Sequence, residues 1–188
     1  IESDKYGKML FVEASFGFPH LDKGDIRYSK ELAGGALNDA GAYTICAVLN
    51  LLDSDSKLIF SNLSTEDGSD VDTFGMAVFE RGNVKAICKW AMGGSYKNEI
   101  TLWCEKGYIV VDRAFSKPES YETEIQVMSN GKIEYKILSG SDNHFVNMLQ
   151  SFSTAILSKS FDSECVMLLT QSKVLDGIRQ NRKHPLQD

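Results

Sequence analysis

Apolar and polar residues alternate along much of the chain, and the places where the alternation changes period mark its elements. Residues 6–19 (YGKMLFVEASFGFP) put Leu10, Val12, Ala14, Phe16 and Phe18 on one face, the pattern of a half-buried strand. A polar segment (HLDKGDIRYSKEL) and the stretch ELAGGALNDAGAY then lead into an apolar run. A helix is predicted over 37–52, closed by DSDS. Further strands are predicted in KLIFSNLST, DTFGMAVFE, VKAICKWAM, EITLWCE, YIVVDRAF, ETEIQVM and KIEYKIL. The turns RGN, KG and SNG between several of them read as antiparallel hairpins. The period returns to helical in NHFVNMLQSFSTAILSK, where Phe145, Met148, Leu149, Phe152 and Ile156 share a stripe and Ser141-Asp142 offers an N-cap. A last helix is predicted over 163–182, carrying Val166, Leu169, Val174 and Ile178.

The order strand, helix, run of strands, two helices predicts an α+β domain. A large, mostly antiparallel sheet would carry its helices on one face and leave the other open. A broad open face is usually buried against another sheet or subunit, so a homo-oligomer through that face is expected. At 188 residues the chain is read as a single domain, 1–188, with enough length to bury about 70% of its unfolded surface.

Composition alters this picture little. Hydrophobic residues make up 43% of the chain and charged residues 24%, with a net charge of −6. That balance argues against nucleic acid or an anionic membrane as partner, since both need a basic patch. No apolar run reaches the length of a membrane span, and no signal peptide is visible. Cys46, Cys88, Cys104 and Cys165 form no CxxC pair, so no metal site is expected, and a reduced, cytoplasmic setting fits them best. The chain opens IESDKYGKML without an initiator methionine and soon reads as a strand, which suggests a piece of a longer protein.

The candidate chemistry lies in GGALNDAGAY. It matches neither G-x-G-x-x-G nor G-x-x-x-x-G-K-[ST], and the segment before it is not a strand, so the spacing excludes a phosphate loop of either kind. The glycines suit a tight helix entry and close helix–sheet packing, with Asp39 favourable in the first turn. Asp39 and Tyr43, four residues apart, share one helix face, and Asn50 lies near the same stripe two turns on. A buried carboxylate is costly unless it is paired or opens onto a site. A phenol with a reference pKa of about 10 needs a cationic neighbour to work near neutrality, and no lysine lies on that face. Around this pair, Arg27 and Tyr28 are either substrate contacts or an ordinary surface loop. His144 either faces a substrate or belongs to a helix cap, and His20 and Phe18 end the first strand on the side of the motif.

Taken together, FGFP (16–19), DIRY (25–28) and GGALNDAGAY (34–43) resemble the C-terminal domain of the glucose–fructose oxidoreductase/inositol dehydrogenase (Gfo/Idh/MocA) family. The likeness is nearest to the branch with sugar 3-ketoreductases and dimeric dihydrodiol dehydrogenases. The Gly107 hairpin, RAFSKPES and DNHFVNMLQSF extend it over nearly the whole chain. The resemblance implies an NAD(P)-dependent oxidoreductase of a sugar, nucleotide-sugar or polyol, with NAD or NADP bound mainly by a Rossmann domain absent from this chain. It implies Tyr43 as proton donor or acceptor and Asp39 as its acidic partner, working with a lysine of an E-K-P motif that this sequence lacks. Substrate contacts would come from Arg27, Tyr28, Phe18, His20 and His144, and Gly34 and Gly35 would let the backbone approach the cofactor. Without that Rossmann domain, the chain is expected to be inactive in hydride transfer. The alternative is a non-catalytic dimerisation or binding module that keeps the fold.

Overall fold

Strand β1 (Met9–Phe18) is the centre of the molecule because its two neighbours are both later strands. It runs parallel to β4 (Val84–Met92) and antiparallel to β5 (Lys97–Cys104). The computed structural model describes residues 4–52 and 55–181, the Ser163 side chain apart. The rest of the eight-stranded sheet is β2 (Lys57–Ser64), β3 (Phe74–Arg81), β6 (Tyr108–Asp112), β7 (Glu124–Ser129) and β8 (Lys132–Leu138), in the order β2-β3-β4-β1-β5-β6-β7-β8. Every neighbouring pair except β1–β4 is antiparallel, so the sheet is the mostly antiparallel one expected, with a single parallel seam. A parallel pair needs a long crossover, and here it contains the glycine motif, the first helix and the β2–β3 hairpin.

Side chains of β1 alternate as the pattern requires, with one exception at its start. Val12, Ala14 and Phe16 are buried under the helices, while Phe11 and Glu13 face the other side. A bulge between Met9 and Phe11 breaks the alternation, so Met9 packs against the core in place of the expected Leu10. Helix α1 (Ala42–Leu52) lies on this face and buries Thr44, Ile45, Val48, Leu49 and Leu52. The core beneath it includes Ala77, Phe79, Ala86, Cys88, Trp90 and Met92. Burial pushes the Cys88 thiol up to about 12, as befits a small core hydrophobe.

Helix α3 (Asp162–Gln180) packs against α1 and β2 through Val174, Leu175 and Ile178. The Gln171 side-chain amide donates to the Ala42 carbonyl (3.0 Å), tying α3 to the start of α1. The proposed closure of the first helix at Asp53-Ser54 and the end of the last at Arg182 fall outside the described residues. Helix α2 (His144–Ser158) is capped by Asn143, whose Oδ1 accepts from the Val146 amide (3.1 Å); Asp142 instead accepts from the Asn147 side chain. The stripe predicted on α2 is present but largely uncovered, with Phe145 65% exposed and Leu149 and Phe152 nearly as open.

The sheet face away from α1 is also open. It combines exposed aromatics, Trp103 (55%) and Phe11 at a ring separation of 5.8 Å, with the cross-strand ion pairs Lys89–Glu13 and Lys85–Glu80, both 2.8 Å. Among the described residues, no helix is long and apolar enough to cross a membrane.

Candidate active site

The helix entry is not an ordinary first turn. Leu37–Gly41 form one turn of π-helix, closed by the Ala42 amide on the Leu37 carbonyl, before α1 begins. Single π turns inside helices recur at functional sites. A second acid holds this entry from below: Asp72 accepts from the Leu37 amide (2.7 Å) through its side chain and from the Ala36 amide (2.8 Å) through its carbonyl. Gly41 sits against the Trp90 indole, where an added Cβ would lie 3.0 Å from the ring. The helix start is thus pressed onto the sheet, and Asp39 and Tyr43 emerge from it toward the same side.

Both residues line a cleft of about 540 Å³, together with Phe16, Phe18, Pro19, His20, Arg27 and Tyr96. Tyr43 is 51% exposed. Its ring meets Phe16 edge-on (5.7 Å, 89°) and lies 6.4 Å from Phe115, which in turn stacks on Phe16 at 5.6 Å. Phe115 is placed by Asn98, a buried amide on β5 whose Oδ1 accepts from the Phe115 N–H (2.9 Å). The Asn98 Nδ2 donates to the Ser116 carbonyl and to the Tyr96 hydroxyl, both at 3.0 Å. An aromatic wall therefore fixes the Tyr43 ring, while no hydrogen bond among the described residues holds its hydroxyl.

A cation from a loop pairs with Asp39 and not with the Tyr43 phenol. Arg27 Nε donates to Asp39 Oδ2 at 2.9 Å. The same guanidinium reaches Asp25 through Nη1 (3.2 and 3.3 Å to its two oxygens), and the Arg27 backbone amide donates to Asp25 Oδ1 at 2.9 Å. That amide, with the guanidinium behind it, holds the Asp25 carboxyl below its ordinary value, and Asp39 foremost raises Arg27 further.

The other candidates separate clearly. The Tyr28 hydroxyl accepts from the Leu21 amide (3.1 Å) and lies 3.4 Å from His20 Nδ1, so Tyr28 shapes the turn that carries His20. Phe18 packs at the edge of Phe16. His144 is exposed at the start of α2 beside Phe145 and does not line the cleft, and Asn50 turns back to the Cys46 carbonyl. Gly34 and Gly35 donate their amides to the Ser29 and Arg27 carbonyls (2.8 and 2.9 Å). Their donors are spent inside the chain, and the room left by their missing side chains is taken by the Arg27 and Ile26 backbone and the Asp72 carboxylate, so they form no phosphate cradle. The cleft fits the ring side of a nicotinamide–substrate pair, with an apolar wall and an uncommitted phenol. Asp25, Asp72 and Phe115 were not singled out from sequence. Asp25 and Phe115 did lie inside segments that carry the likeness, DIRY and RAFSKPES.

The chain belongs to the GFO/IDH/MocA C-terminal domain family, whose profile matches residues 1–110. A dTDP-3,4-didehydro-2,6-dideoxy-alpha-D-glucose 3-reductase from Saccharopolyspora spinosa is 31% identical over 143 residues, which is 76% of this chain and 43% of that protein. KijD10, a 3-ketoreductase from Actinomadura kijaniata solved in complex with NADP and TDP-benzene, superposes with a TM-score of 0.85. The identity is 28%, over 93% of this chain and 54% of that one. An aldose-aldose oxidoreductase from Caulobacter crescentus, complexed with glycerol, shares the fold (TM-score 0.75, 20% identity, 95% of this chain and 55% of that one). The chain spans about half the length of the relatives it matches.

Proposed function

We propose that this domain is the substrate half of an NADP- or NAD-dependent oxidoreductase that reduces a keto group on a nucleotide-linked sugar. The observation that carries the proposal is the convergence of Tyr43 and Asp39 on one aromatic-walled cleft, in a chain similar to a 3-ketoreductase that binds NADP and a TDP ligand. When bound, the nicotinamide supplies the hydride that reduces the carbonyl carbon. Tyr43 gives its hydroxyl proton to the oxygen of that carbon and recovers a proton from solvent, which completes the alcohol. Arg27 holds Asp39 through Oδ2, leaving Oδ1 to orient a sugar hydroxyl. Phe16 and Phe115 keep the Tyr43 ring at a fixed angle. A cytoplasmic setting belongs to the same proposal.

The test is consumption of reduced nicotinamide by the full-length protein, offered a dTDP-linked 3-keto deoxysugar and the corresponding free sugars. Consumption is expected with the nucleotide-linked ketone and not with the unlinked 3-keto sugars. A protein that consumes no cofactor with any ketosugar overturns the proposal.

The open sheet face supports a second part of this reading, assembly into a homo-oligomer. Phe11, Trp103 and Tyr108 line a shallow cavity of about 340 Å³ there, beside the Lys89–Glu13 ion pair of the same sheet. Light scattering of the full-length protein is expected to give at least a dimer mass, and Trp103→Glu to lower it. A monomer mass for the parent protein rejects this assembly.

A further inference from the structure

We infer that Asp25 and Arg27 are positioning residues for the reaction, a two-residue clamp that acts through Asp39 and does not itself touch the substrate; the inference rests on the function proposed above. Two of the five guanidinium N–H donors of Arg27 are committed inside the chain, on the two sides of the group. Its Nε is committed to Asp39 and its Nη1 to Asp25, and its backbone amide also ends on Asp25. A charge-assisted pair of this kind fixes both partners in direction as well as in charge. Asp25 stands behind the guanidinium as a second anion, so the arginine is held from both sides and cannot follow a substrate phosphate without breaking both pairs.

The local fold shows why the clamp is rigid. Residues 26–28 form a short 3-10 turn, and the Ser29 and Arg27 carbonyls receive the amides of Gly34 and Gly35. The loop bearing Arg27 is therefore fastened to the strip that leads into Asp39, only a few residues upstream of it. Arg27 and Asp39 are about one-third exposed, so the pair sits at the wall of the cleft with one side open to solvent. Positioned this way, Asp39 presents Oδ1 in one direction only. Loss of the clamp frees the carboxylate to rotate and costs turnover more than binding.

The decisive experiment is a double-mutant cycle in the full-length protein, read both as kinetics and as melting temperature. Arg27→Met is expected to lower kcat about tenfold with KM nearly unchanged, Asp25→Asn to lower it less, and Arg27→Lys to recover part of the loss. In an Asp39→Asn background, Arg27→Met should cost nothing further, because its route to the substrate has already been removed. The melting temperatures should show the same coupling, with the double variant losing less than the two single losses combined. An equal rise in KM with or without Asp39 would make Arg27 a substrate ligand and overturn the clamp. Additive melting shifts overturn it as well, whatever the activity. Failure of the underlying function reads differently, since the parent protein would then turn over no ketosugar while the melting cycle still showed coupling.

Discussion

Tyr43→Phe in the full-length protein is expected to cut kcat by roughly 10²–10⁴-fold, the range a positioned general acid contributes, with melting temperature and KM nearly unchanged. The structure separates the two roles of this side chain. The ring is held by Phe16 and Phe115, contacts that phenylalanine keeps. The hydroxyl has no hydrogen-bond partner among the described residues, so its removal leaves no buried group unsatisfied. A surface change without such a penalty stays within about 0.5 kcal/mol of the parent stability. Loss of turnover at constant stability then reports chemistry and not folding. Steady-state cofactor oxidation and a thermal melt on the same preparation make the check, and an unchanged kcat removes Tyr43 from the mechanism.

The second large effect is expected from a residue with no side chain. Gly34→Ala would place its Cβ 2.7 Å from the Arg27 carbonyl carbon and 2.8 Å from the Ile26 oxygen. Both obstacles are backbone, so no rotamer change relieves the clash, and the loop carrying Arg27 must move. Overpacking of this kind costs about 1–3 kcal/mol, and the displacement also draws the guanidinium away from Asp39. We expect a lowered melting temperature together with a kcat loss like that of Arg27→Met. Gly24→Ala, which adds a methyl where nothing lies within 4 Å, is the neutral control. Parent-like melting and turnover in Gly34→Ala would show that the loop does not need this close approach.

These cases also show what the sequence could disclose. Strand alternation and the glycine turns between β3 and β4, β5 and β6, and β7 and β8 are local, so the hairpins were legible. The partner of β1 was not, because pairing across a long crossover leaves no mark in spacing. The Met9 bulge escaped for a related reason: an inserted residue shifts the faces without changing which residues are apolar. The pairing of Asp39 with Tyr43 was legible as a four-residue interval, although the backbone beneath Asp39 is a π turn and not the α turn assumed. The cation that pairs with Asp39 was not legible, because Arg27 comes from a different segment, brought over by the fastening of its loop to Gly34 and Gly35. Helical period told which face of α2 is apolar, but not that the described sheet leaves Phe145, Leu149 and Phe152 open.

The parallel seam at the centre has a consequence for how the chain acquires its fold. During synthesis β1 emerges ahead of both its partners, so Phe11 must wait for Lys85 on one side and Trp103 on the other before either edge is paired. Closing so long a loop comes at an entropic cost before any contact rewards it, which makes this step a natural rate limit. Until then the FVEASFGF segment is an unpaired apolar strand with two open edges, the kind of surface that recruits chaperones or other copies of itself. The same strand ends at Phe16 and Phe18, so the aromatic wall of the cleft can be completed only at the close of folding, when β1 is locked between its two late partners.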